Sequence, residues 1–173
     1  MSRLGRFLIV CGLASLAVPI PDSSGTTDDG RKTAAKPGQV QVQSVQVRLS
    51  QVGPVVLLRV RNKAIPVFVD AIVAESIQGA LSGRRFGRPL THDLMHTVLE
   101  AFDGKVSQVV VTLKGGTFYG DLTVVMRKTT KVFDSRSSDA IALAIHFKAP
   151  ILVSQELVDS AGVELEETDE KSL

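Results

Sequence analysis

The stretch KVFDSRSSDAIALAI, residues 131–145, can be laid over VFVDAIVAESIQGAL, residues 67–81. Asp134 then falls on Asp70, Asp139 on Glu75, Ile141 on Ile77 and Ala144 on Ala80. In both, a short β-branched and aromatic run ends at an aspartate and gives way to an apolar helical pattern. Pro89-Leu90, before the second helix, then answers Pro150-Ile151. The reading that follows is α+β: a duplicated unit of three strands and two helices, packed as one domain. Each half is near the size at which a single core becomes marginal, so neither is expected to fold alone.

Outward from this pair, the strand signals recur in order. VQVQSVQVRL (40–49) alternates, VVLLRV (55–60) is a short apolar run, and IPVFVD (65–70) follows the turn-like RNKA. AIVAESIQGALS (71–82) and THDLMHTVLEAF (91–102) read as helices, the second with Thr91 as N-cap and Gly104 beyond its end. The second half runs VSQVVVTL, the hairpin turn KGGT, FYGDLTVVM, the turn RKTT and KVFD. After the helix come APILV and a short helix from about Gln155 to Ala161.

The 173 residues are 44% hydrophobic, enough for one soluble domain with a real core and short extensions. The formal charge of +2 is unevenly placed. Residues 47–162 carry fourteen Lys/Arg against ten Asp/Glu, and residues 163–173 carry five acids against Lys171. At the start, Arg3 and Arg6 precede an apolar stretch from Phe7 to about Val18, with Ser15 and Ala17 spaced as a small-x-small cleavage site. Residues 1–18 are therefore expected to be a secretory signal, too short to span a bilayer comfortably, and the body to be exported or periplasmic. Without a functional signal the expectation is cytoplasmic. Cleavage after Ala17 removes Cys11, the one cysteine, which excludes a disulfide, a Cys-ligated zinc or a thiol nucleophile. Residues 19–39 read as a flexible tether, 40–162 as the folded body and 163–173 as a solvated acidic tail.

Chemistry-bearing residues gather at the helix entrances. Asp134 and Asp139 can hold Mg²⁺ or Mn²⁺, since hard cations prefer oxygen ligands, or Asp139 can simply complement a helix N-terminus with Ser137 or Ser138 as cap. Arg136 can grip phosphate bidentately or pair with Asp134. In the helix from Thr91, the helical period puts Leu94, Met95, Val98, Ala101 and Phe102 on one side. His92, Asp93, His96 and Glu100 fall on the other, read as a solvated polar face. His92 and His96 are one turn apart, a chelating spacing, but no H-E-x-x-H pattern or neighbouring third histidine accompanies them. Asp139 and His146, seven residues apart, share nearly one helix stripe. Basic residues cluster at GRRFGR (Arg84, Arg85, Arg88) and RKTTK (Arg127, Lys128, Lys131), where they can meet a polyanion or serve solubility. No Walker loop, dinucleotide glycine fingerprint, nucleophile elbow or Cys-His arrangement is present, which sets aside P-loop, dehydrogenase and acyl-transfer readings.

RPLTHDL (88–94), GGTFYGDL (115–122), DSRSSDAIALAI (134–145) and API (149–151) together resemble the bifunctional nuclease (BFN) domain family, over roughly residues 45–162. The resemblance implies a nuclease acting on DNA and RNA, with a fold like the duplicated one above. One departure is Ser137, where the family usually has a first-turn proline. With that resemblance, the expected site comprises Glu75, His92, Asp93, Asp134 and Asp139 for catalysis, with His92 as general base or phosphate contact. Arg84, Arg85, Arg88 and Arg136 are expected to contact nucleic acid, and Asp134 with Asp139 to bind Mg²⁺ or Mn²⁺. The expected partners are nucleic acid and further copies of the chain. The alternative expectation is a non-catalytic exported binding or assembly module that self-associates through open sheet edges.

Overall fold

A computed structural model describes residues 36–165. The expected signal, most of the tether and the end of the acidic tail lie outside the described residues. The chain runs β1 (Gln39–Gln41), β2 (Ser44–Ser50), β3 (Gly53–Val60), β4 (Lys63–Phe68), α1 (Ala71–Ser82), α2 (Thr91–Ala101) and β5 (Gly104–Lys114). It continues with β6 (Thr117–Met126), β7 (Thr129–Arg136), α3 (Ser137–His146), β8 (Ile151–Ser154), α4 (Gln155–Ala161) and β9 (Val163–Glu164). The fold is α+β, with two sheets and four helices among the described residues. One sheet has the order β1-β8-β5-β6-β7 and the other β2-β3-β4-β9. All pairings are antiparallel except β5 with β8, which are joined by a crossover through β6, β7 and α3.

Local chemistry explains the hairpins. Gly115 and Gly116 both have positive φ (56° and 79°), as a two-residue turn matched to strand twist requires. Gly83 closes α1 in the left-handed conformation, its N–H bonding the Gly79 carbonyl. The alternating run at 40–49 is not one strand. Val42 N–H bonds Ile151 O (2.9 Å) in one sheet and Gln43 N–H bonds Arg59 O (2.8 Å) in the other, so the chain changes sheets between two neighbouring residues. Both halves run three strands and a helix, but the second inserts β8 before its last helix. The first residues of the expected tail form β9 on β4, tied by Asn62 Nδ2 to Glu164 Oε2 (2.6 Å).

The core draws Val56, Leu58 and Ile65 from one sheet, Val109, Val111 and Val153 from the other, and Ile77, Ile141 and Leu157 from the helices. The AIALAI helix is buried as its composition demands: Ala140, Ile141, Ala142 and Ala144 have no exposure. α3 packs against α1, α2 and strands β5–β7. Its close approach to the sheet depends on Gly120, where an added Cβ would lie 2.7 Å from the Ala140 Cβ.

α2 is mounted the opposite way from its expected orientation. Its polar side faces α3, with His92 buried, while Leu94, Met95, Val98 and Phe102 are exposed by 44–57%. The helical period identifies the apolar side but not which side is covered, and here hydrogen bonds of the polar side decide. Thr91 is the first helical residue, not the cap. The Leu90 N–H is instead satisfied by Asp93 Oδ2 at 2.8 Å, one half of a capping box. α3 likewise begins at Ser137, which is buried, and no serine hydroxyl caps it.

Candidate functional site

Three helix entrances converge at α3. Arg136, immediately before it, places Nε 2.6 Å from Asp139 Oδ2 and Nη2 3.0 Å from Asp139 Oδ1, a bidentate pair. The same guanidinium reaches back to Asp70 Oδ2, at the start of α1, through Nη1 at 3.2 Å. Arg136 thus joins the two related entrances and does not pair with Asp134. From α2, His92 Nε2 lies 3.1 Å from Asp139 Oδ1. A carboxylate only accepts, so Nε2 carries the hydrogen, and His92 Nδ1 is left buried without a partner.

The electrostatics follow this geometry. Burial pushes the Asp139 carboxyl up, but hydrogen bonds and charge from Arg136 and then His92 outweigh it and hold the group below the usual carboxylate range. The Arg136 guanidinium is raised correspondingly by its hydrogen bond and charge interaction with Asp139, then by Asp70. Half of the Arg136 side chain and more remains exposed, so a ligand can compete for it.

Behind this pair lies a second polar layer. The His92 ring stacks on His146 with centroids 6.4 Å apart, and it is His92, not His146, that bonds Asp139. His146 Nε2 is 2.9 Å from Ser76 Oγ, and its Nδ1 is 3.8 Å from Asp93 Oδ1. Serine, histidine and aspartate stand in relay order, but Ser76 has no exposure, so no substrate reaches its hydroxyl. The group satisfies buried polar atoms where α1, α2 and α3 meet. Burial lowers the His146 pKa, with His92 and His96 adding to the effect and Asp93 opposing it. His96 lies beside the same ring (centroids 5.9 Å from His146) and also contacts Phe147 (4.4 Å) and Glu100.

The other expected residues sit apart. Glu75 binds Arg84 (3.2 Å) on the exposed side of α1, and Arg84 also lies over the Phe86 ring (4.7 Å). Arg85 and Arg88 are exposed on the loop that delivers α2. Asp134 stands on exposed β7 directly opposite Asp121 and shares no hydrogen bond or ion pair with Asp139. Both Asp139 oxygens are already engaged, and among the described residues no three His, Cys, Asp or Glu side chains are arranged to hold a metal ion. The pair Asp134 and Asp139 therefore does not fit Mg²⁺ or Mn²⁺ in this arrangement. Ser76 carried no signal in the sequence, and Asp70 and His146 were not among the expected site residues. Asp70 was signalled only by its match to Asp134, and His146 by the helix stripe it shares with Asp139.

Two uncharacterized proteins of Mycobacterium tuberculosis, from strains CDC 1551 / Oshkosh and ATCC 25618 / H37Rv, are each 34% identical over 139 residues, 78% of this chain and 83% of theirs. The model of the bifunctional nuclease domain matches residues 55–166, a span that begins inside β3 and takes in every residue of the Arg136–Asp139–His92 cluster. On that match, the chain belongs to the bifunctional nuclease domain family.

Proposed function

We propose that this protein hydrolyses phosphodiester bonds of DNA or RNA at the entrance of α3. The observation that carries the reading is the Arg136–Asp139 pair, an exposed cation bidentate on a half-buried carboxylate inside a nuclease-family domain. A substrate phosphate competes with Asp139 for the guanidinium, for which its paired oxygens are a good match. Once Arg136 turns to the phosphate, the upward push of burial on Asp139 is opposed only by His92. Asp139 Oδ2, released from Arg136, then becomes the more basic oxygen and accepts a proton from the attacking water as its oxygen bonds phosphorus and the P–O bond to the leaving sugar oxygen breaks, that oxygen taking a proton from solvent, while His92 Nε2–H keeps Oδ1 in place. Phosphate binding and activation of the base are thus one exchange. His92 in this scheme positions the carboxylate, because its own free nitrogen is buried. Arg85 and Arg88 add attraction for the polyanion from the adjoining loop. Ser137 stands where the family's proline would fix the first turn of α3, leaving Arg136 and Asp139 to hold that turn by their own bond.

The test is cleavage of single- and double-stranded DNA and RNA by the purified chain, in EDTA and with Mg²⁺ or Mn²⁺, which also reads any dependence on a divalent cation. Asp139→Asn should lower kcat by about a hundredfold or more, as expected of a general base, and Arg136→Gln should mainly raise KM. No cleavage of any substrate by the wild type, or an Asp139→Asn enzyme of full activity, would overturn the proposal. The non-catalytic alternative is favoured by one observation, the exposed apolar side of α2, which is compatible with catalysis at the other side. We also infer that the two halves arose by copying one unit, which the recurring order of three strands and a helix supports.

A further inference from the structure

The exposed side of α2 continues into a groove of about 510 Å³ lined by the apolar Phe102, Val124, Met126 and Phe133 together with Arg127, Thr129 and Lys131. Leu94, Met95, Val98, Phe102, Met126 and Phe133 are each 36–57% exposed. With large apolar side chains offering roughly 150–200 Å² apiece, they leave on the order of 500 Å² uncovered, at the upper end for a monomer. Two such surfaces face to face bury about 1,000 Å², the lower bound for a specific interface.

The layout of this surface is self-complementary. Leu94 and Met95 protrude at the N-terminal end of the stripe, and the groove opens beside Phe102 at its C-terminal end. Eight residues of helix, about 12 Å, separate the two, with Val98 midway. A two-fold axis through Val98 would set two α2 helices antiparallel, with Leu94 of each copy meeting Phe102 of the other at the mouth of its groove. Such an arrangement is isologous and closed, and it opposes the helix dipoles favourably. The polar side of α2 is committed to Asp139 and α3, so only the apolar side is free to associate.

We propose that this stripe and groove form a two-fold dimer interface with a second copy of the chain, centred on Val98. The proposal is independent of the nuclease reading. Sedimentation equilibrium of the full chain should show a concentration-dependent dimer, and Val98→Glu should raise its dissociation constant about a hundredfold or more, the effect of a charge at a desolvated centre. The melting temperature of the separated monomer should hardly change, because Val98 is already half exposed. In a Cys11→Ser background, Val98→Cys should oxidise to a disulfide-linked dimer, whereas Leu49→Cys, at 85% exposure elsewhere, should not. A chain that stays monomeric throughout overturns the proposal, as does a dimer indifferent to Val98→Glu. Dimers that form only with residues 1–35 present would assign the groove to that segment and overturn it equally.

Discussion

Asp139 and His146 both have folded-state pKa values below their ordinary ones, so for each the unfolded chain binds more protons and stability falls as pH drops. His146 enters first, its contribution complete above about 6.5 and lost as pH falls from there, whereas Asp139 matters only below about 3.8. Thermal melts between pH 7 and 5 should therefore show a declining melting temperature. His146→Gln, which keeps a partner for Ser76, should flatten that decline, and an unchanged slope in the variant would contradict the buried neutral histidine. The two aspartates expected to act together should separate in the same assay. Asp134→Asn removes a like-charge pair with Asp121 and should stabilise by a few tenths of a kcal/mol, while Asp139→Asn loses the charge and one of the two oxygens that accept from Arg136 and His92 and should destabilise by about 1 kcal/mol. Differential scanning calorimetry at neutral pH reads both. The residue types of the site were legible in sequence, but their partnerships were not. His92 and Asp139 are 47 positions apart and Arg136 and Asp70 are 66 apart, and no spacing rule reaches across such separations.

At the scale of elements, α3 is positioned by what β6 lacks. The Cβ missing from Gly120 would lie 2.7 Å from Ala140 Cβ and 3.2 Å from the Arg136 carbonyl, and Ala140 has no free space to yield. Gly120→Ala should thus cost about 1–3 kcal/mol, the usual penalty of overpacking. The lifted helix start would also displace Arg136 and Asp139, so phosphate affinity should fall together with stability. Urea unfolding and inorganic-phosphate titration of the same variant measure the two effects, and a variant as stable as wild type would refute the close-approach argument. The bounds of α1 and the apolar character of α3 were readable because local burial sets them. The orientation of α2 was not: its stripe marks Leu94, Met95 and Val98 as one side, but the bond His92 makes to Asp139 on a distant element helps choose which side turns inward.

Across the whole molecule, the chain passes from one sheet to the other at a single residue, Val42. Consecutive amides of Val42 and Gln43 bond Ile151 in one sheet and Arg59 in the other, and the Val42 side chain is buried between them. The alternating sequence around Val42 gave no sign of this, since each of its two halves satisfies the same strand pattern. Such a junction leaves neither sheet an independent core, because Ile77 and Ile141 share a single cluster with valines of both. Unfolding should therefore be one cooperative event. Tyr119, the sole tyrosine in a chain without tryptophan, lies in β6 and reports on one sheet, while far-ultraviolet circular dichroism reports on both. The two urea transitions should coincide. Val42→Pro, which removes the donor to Ile151 and leaves that carbonyl unpaired, should shift both midpoints down together by about 1–3 kcal/mol of stability. If the fluorescence transition moved alone, the sheets would be separate cooperative units joined only by chain, and the junction at Val42 would carry no energetic coupling.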